Sequence, residues 1–187
     1  NMQSLYLKKI NYNIKLAKEN FKIVKKKKFE KKINRLFENA NSQYKVSLKR
    51  DYKYLNWRYS DRPDKKYHLF VFYKDNEIAG YSILKLYKEK NILRGHMIDL
   101  FYNIKFKGLF KCIILHSYKF FKNKKCTEMT LWLQGDQKAQ LELKNLKFKI
   151  HSKRPFICKN LSLSKKLKLL LNKKNWYFTM GDTLEIY

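Results

Sequence analysis

Apolar positions along this chain change their period twice, and each change marks a different kind of element. In residues 1–28 short apolar groups (Leu5, Tyr6, Leu7 and Ile10, then Phe21, Ile23 and Val24) mix with lysines and end in the run Lys25-Lys26-Lys27-Lys28. This reads as a connecting arm or linker with one strand near 21–24. From Phe29 the apolar residues Phe29, Ile33, Leu36, Phe37 and Ala40 fall on one face at helical spacing, and Asn41-Ser42 stops the helix. Asp51 is placed to cap a second, short helix carrying Tyr54, Leu55, Trp57 and Arg58. Arg62-Pro63-Asp64 ends it, because the residue before a proline is pushed out of the α region.

Beyond Pro63 the period becomes two. Residues 67–73 form a β-branched and aromatic run, Lys74-Asp75-Asn76 is turn chemistry, and residues 78–87 return as the second strand of an antiparallel hairpin. Glu89-Lys90-Asn91 turns the chain again into a third strand, 93–101. Residues 108–121 then carry a broad apolar helical face through Leu109, Cys112, Ile113, Leu115, His116 and Phe120. A strand at 128–133 follows, closing at Gln134-Gly135-Asp136, and Asp136 caps a helix with Ala139, Leu141, Leu143 and Leu146. Short strands at 148–150 and 156–158, a lysine-rich link at 161–175 and a last strand at 176–179 complete the chain. The crossover from 93–101 to 128–133 is long enough to hold a helix, which makes those strands parallel neighbours. The expectation is an α/β (α+β) domain: a mixed central sheet, an antiparallel meander followed by a parallel βαβ crossover, with helices on both faces.

Composition adds few constraints. At 187 residues the chain suits one well-buried domain, and 44% hydrophobic with 16% aromatic content is ample for a core. The net charge of +29 comes almost wholly from lysine. A field of that strength attracts nucleic acid, acidic lipid or polyphosphate, but lysine abundance beside Asn, Ile, Tyr and Phe is also what an AT-rich coding sequence yields. Arginine, the better bidentate phosphate ligand, occurs only at Arg35, Arg50, Arg58, Arg62, Arg94 and Arg154. Cys112, Cys126 and Cys158 suit reduced thiols in a cytoplasmic protein, and the scattered His68, His96, His116 and His151 give no metal-site spacing. No apolar run is long enough for a membrane span. The chain starts Asn1-Met2, which suggests a piece of a longer protein.

The element order is similar to that of the GNAT superfamily of N-acetyltransferases. Residues 50–59, Ala79-Gly80-Tyr81, Ile98-Asp99-Leu100 and residues 176–182 resemble segments of the C-terminal domain of tandem-GNAT proteins. The resemblance spans about residues 29–182 and makes 29–187 a GNAT-like domain, with a second such domain or a homodimer as partner.

In that family the last meander strand and the next parallel strand splay apart, and the pantetheine arm of acetyl-CoA or another acyl-CoA pairs with the freed main chain. The resemblance therefore implies that Leu100 and Phe101 line the coenzyme arm. It also implies that the loop Lys105-Phe106-Lys107-Gly108-Leu109-Phe110 meets the pyrophosphate with Lys105, Lys107, Gly108 and Leu109. Phe110 stands where the family has a small residue, a bulk that could obstruct the phosphates. Asp99 and His96 are the candidate catalytic residues for deprotonating an amine acceptor, Asp99 through a carboxyl raised by partial burial, with a structural, hydrogen-bonded aspartate as the alternative. Strict alternation puts His96 and Asp99 on opposite faces unless a bulge intervenes. The helix after 128–133 lacks the family's tyrosine acid. Trp57 and Arg58 either line an acceptor pocket near the hairpin or are structural, Trp57 as a core plug and Arg58 as the partner of an acid such as Asp61 or Asp64; Trp132 and Trp176 carry the same two readings.

The implied activity is acyl transfer from acyl-CoA to a primary amine of a small molecule or amino sugar. The competing reading is a noncatalytic domain of the same fold, binding nucleic acid or acidic polymer nonspecifically through its basic surface.

Overall fold

The computed structural model describes residues 2–7, 21–63, 66–152 and 168–183. Strands β1 (Met2–Tyr6), β2 (Lys22–Lys26), β4 (Tyr67–Lys74), β5 (Glu77–Glu89), β6 (Ile92–Tyr102), β7 (Glu128–Gln134) and β8 (Lys149–Ser152) form one sheet in the order β2-β4-β5-β6-β7-β1-β8. Two short strands lie off this path: β3 (Val46–Ser47) pairs in parallel with β9 (Trp176–Thr179), and β9 pairs with the end of β7.

The meander forms where its turn residues allow. Asp75 and Asn76 both take positive φ, 47° and 64°, closing β4 on β5 through the paired ends Lys74 and Glu77. This is the two-residue hairpin geometry that Asp and Asn tolerate best after glycine. Lys90 takes φ 52° in the next turn, between Glu89 and Ile92. The crossover helix α3 (Leu109–Asn123) then returns the chain, so that β7 runs parallel to β6.

Both faces of the sheet are covered. On one, Phe70 and Phe72 meet His116 of α3 at 4.5 and 5.6 Å between ring centres. Gly95 lies so close to this helix that a Cβ there would come within 2.4 Å of the Phe121 ring. On the other face, Tyr81 packs against Phe29 and Phe101 against Phe37, under helices α1 (Ile33–Ala40) and α2 (Tyr52–Leu55). Asp51 caps α2 through the Tyr54 amide at 2.9 Å, and a π-turn, Asn56–Ser60, continues it. Helix α4 (Gln137–Asn145) is capped by Asp136 through Ala139 N at 2.9 Å, as the sequence indicates.

Several expectations need correction. Residues 2–6, read as part of an arm, form a strand between β7 and β8, antiparallel to both. α1 starts at Ile33; Phe29 is buried but lies before the helix, its N–H donating to Asn56 Oδ1. Trp57 is 62% exposed and plugs no core. Arg58 donates to the carbonyls of Gly181 and Thr183, while Asp61 accepts from Lys28. Trp132 and Trp176 are half-buried, and the described residues of the link at 161–175 include α5 (Lys168–Leu171) and a 3-10 turn, Lys173–Asn175. The strand expected at 156–158, Cys158 and Asp64 lie outside the described residues.

Candidate functional site

β6 and β7 pair only from Arg94–Glu128 to Met97–Leu131 and then part. A bulge helps to separate them. Ile83 of β5 faces Asp99 while Leu84 faces Met97, so Ile98 is an extra residue on β6. The bulge shifts the alternation by one, which brings Asp99 onto the face that carries His96. Further along, Asn103 N bonds Ala79 O at 2.9 Å. In an antiparallel ladder that pairing turns the main-chain groups of Leu100 and Tyr102 away from β5, toward the split.

Beside the mouth of the split stands the N-terminus of α3. Gly108 precedes the helix at φ 77°, a conformation that favours glycine. Leu109 N bonds Phe106 O and Lys105 N bonds Asn103 Oδ1. The amides of Phe110 and Lys111 have no main-chain acceptor among the described residues, as expected for a first helical turn. They border an open groove of about 340 Å³ between α3 and α4, lined by Tyr102, Gly108, Phe110, Lys111, Lys138 and Glu142. Phe110 leans on Tyr102, 5.5 Å between ring centres, and forms a wall of the groove. Lys105 is ion-paired with Glu77 at 2.8 Å, which reduces the charge it offers, whereas Lys107 is exposed.

The split itself is occupied by side chains from distant segments. Tyr177 of β9 donates its hydroxyl to Leu100 O at 2.6 Å, and Gln43 Nε2 donates to Tyr102 O at 2.7 Å. Tyr44 stacks on Tyr177 with ring centres 4.1 Å apart. Tyr102 and Tyr44 both donate to Asp136 Oδ2, at 2.6 and 3.1 Å, tying the end of β6 to the start of α4. Burial, with Asp136 as the second cause, holds both phenols far above their usual range, so they remain donors.

Asp99 sits 1% exposed at the centre of a polar cluster. Its Oδ1 accepts from Thr179 Oγ1 at 2.9 Å and Arg50 Nε at 3.3 Å, and its Oδ2 from Tyr81 at 3.0 Å and Tyr59 at 3.3 Å. Arg50, equally buried, reaches Asp182 with Nη2 at 2.6 Å. Burial raises the Asp99 carboxyl and the Arg50 charge opposes it. Saturated with donors, this carboxylate ties β6 to the segment that follows β9. His96 differs. Its Nδ1 shares a hydrogen bond with Thr130, Nε2 has no partner among the described residues, and burial, reinforced by Lys85 and Arg94, lowers its pKa to about 4. It is a neutral imidazole at physiological pH.

Of the residues expected to hold the coenzyme, Gly108 lines the groove and Leu100 turns its carbonyl to the split, whereas Phe101 is buried with its main chain directed at β5, and Leu109 is buried in the core; His96 and Asp99 share one face of β6. Sequence reasoning missed Gln43, Tyr44, Asp136 as an acceptor, and Tyr177. Arg50 alone had a visible signal, being arginine where this chain otherwise uses lysine. Among the described residues no helix is long and apolar enough to cross a membrane, and no cluster of His, Cys, Asp or Glu could hold a metal ion.

No protein-family model matches the sequence, and no curated protein matches it. Solved structures do. A ribosomal-protein-alanine N-acetyltransferase from Brucella melitensis biovar Abortus superposes with a TM-score of 0.54 at 12% identity, covering 75% of this chain and 99% of its own. An acetyltransferase from Trypanosoma brucei gives 0.54 at 15% identity, covering 75% and 100%. With this sheet order, a bulged β6 parting from a parallel β7 and these likenesses, the chain has the fold of the GNAT superfamily of N-acetyltransferases.

Proposed function

We propose that the protein is an acyl-CoA-dependent N-acyltransferase acting on a primary amine of a small molecule or amino sugar. The observation that carries this reading is the parting of β6 and β7 beyond Met97 and Leu131, beside a helix N-terminus that opens on a groove. The amides of Phe110 and Lys111 are donors suited to a pyrophosphate, and the helix dipole and Lys107, Lys111 and Lys138 add positive potential. The amine nitrogen attacks the thioester carbonyl, forming the C–N bond as the C–S bond breaks. The amine proton leaves to a base, and the coenzyme thiolate takes a proton from water, since α4 offers no tyrosine.

For the base we assign His96 before Asp99. A neutral imidazole with a free ring nitrogen can accept a proton, whereas every oxygen of Asp99 already receives two donors. A lowered basicity limits the rate such a base supports. The net charge of +29 repels cationic acceptors, so the amine is expected on a neutral or anionic molecule.

The test is titration with acetyl-CoA, followed by thiol release in the presence of primary amines. Charge reversal at the groove, Lys111→Glu, should weaken acetyl-CoA binding on the order of ten-fold while leaving the melting temperature nearly unchanged. Failure of acetyl-CoA to bind, with the chain folded, would remove the reading.

A further inference from the structure

The segment that fills the split belongs to this chain, and it takes the main-chain partners that a strand-like ligand would need. An amide-bearing arm lying in the split as an added strand must exchange hydrogen bonds with the outward groups of β6, namely those of Leu100 and Tyr102. Both outward carbonyls already have donors, Leu100 from Tyr177 and Tyr102 from Gln43. β9 also holds Leu133 and Gln134 of β7, the opposite lip of the split. The 3-10 turn after β9, Met180–Asp182, is clamped in turn: Asp182 by Arg50, and the carbonyls of Gly181 and Thr183 by Arg58. A Cβ on Gly181 would lie 3.3 Å from Ile98 O, so this turn lies directly against the bulge.

We propose that Tyr177 and the clamped segment 176–183 determine what the site admits: the nucleotide end of the coenzyme binds in the α3–α4 groove with the segment seated, and the acyl-pantetheine arm enters only by displacing Tyr177 from the Leu100 carbonyl. This rests on the coenzyme reading of the groove. The arm then gains little from the two carbonyls on entry, because each bond it donates to them replaces one already present. The ligand class that the resting protein selects is therefore a nucleotide bisphosphate as readily as an acyl thioester.

Calorimetric titration with acetyl-CoA and with adenosine 3′,5′-bisphosphate tests this on the wild type, Tyr177→Phe and Arg58→Met. Tyr177→Phe keeps the ring that stacks on Tyr44 and removes only the competing hydroxyl; Arg58→Met loosens the clamp from a partly exposed position. The wild type should bind the two ligands within about three-fold of one another, and each variant should bind acetyl-CoA roughly five-fold tighter with the bisphosphate unchanged. Hydrogen exchange of wild-type peptide 176–182 should quicken with acetyl-CoA and not with the bisphosphate. A wild type that prefers acetyl-CoA by ten-fold or more, or variants that leave it unaltered, overturns the gating role while the coenzyme reading stands. If neither ligand binds the wild type or either variant, the coenzyme reading fails and the gating role goes with it.

Discussion

At the scale of single residues, the few arginines mark positions where lysine will not serve. Arg50 spans two carboxylates, Asp99 and Asp182, from a side chain with no exposure, and Arg58 and Arg94 each meet two acceptors. A planar fork can do this and an ammonium on a flexible stem does it poorly. Replacing Arg50 by Met leaves both carboxylates without their cation, at a cost of about 3–5 kcal/mol near neutral pH, readable by urea denaturation. The deficit should shrink on acidification. Asp99 already holds its proton to a higher pH than an unfolded carboxyl does, because of burial, and loses its largest opposing influence with Arg50. Between the two values the folded state binds more protons, so stability falls as pH rises and recovers as it drops. His96 has the opposite sign: its value of about 4 lies below the ordinary 6.5, so its contribution is full above 6.5 and is lost as pH falls toward 4. His96→Gln should therefore flatten the fall in melting temperature between pH 6.5 and 4.

At the scale of elements, local chemistry was legible and long-range pairing was not. Asp75-Asn76, the caps Asp51 and Asp136, and Gly108 all announce conformations that neighbouring residues set, and each forms as read. Nothing in the residues of β1 says that it lies between β7 and β8. Its partners are residues 128–132 and 149–152, and the decision is made by the edges they leave open. The bulge at Ile98 and the contacts of Tyr177 and Gln43 with main-chain carbonyls 77 and 59 residues away are equally silent in the sequence, because any tyrosine or glutamine could make them. Since Leu5 is 1% exposed, Leu5→Ala should cost about 2–5 kcal/mol, as for a core leucine, whereas an arm residue would cost almost nothing. Asp136 gives a finer test. Asn at this position keeps the cap of α4 through its one side-chain oxygen but turns an NH2 toward the two tyrosine hydroxyls, which then accept instead of donating, so Asp136→Asn should destabilise less than Asp136→Ala, which we place at about 2 kcal/mol.

At the scale of the whole molecule, the question is what +29 does to a fold whose buried charges are already matched. The lysines of edge strand β2 discourage pairing with another sheet, and pairs such as Lys28 with Asp61 and Lys105 with Glu77 are exposed and individually weak. What remains is like-charge repulsion over the surface, which favours the expanded chain. Raising ionic strength from about 0.01 to about 0.1 M shortens the screening length from roughly 30 to roughly 10 Å. That should raise the melting temperature by a few degrees, at about 2–4 °C per kcal/mol for a chain of this size. The increment from salt should be the same in Arg50→Met, since its lost interaction lies beyond the reach of counterions. Polyanion binding responds in the reverse direction. RNA held by lysines alone should be released steeply over the same range, while a coenzyme seated on helix amides in the α3–α4 groove should lose affinity more gently. A ligand whose affinity collapses with salt as RNA's does would be reading the lysine surface rather than the groove.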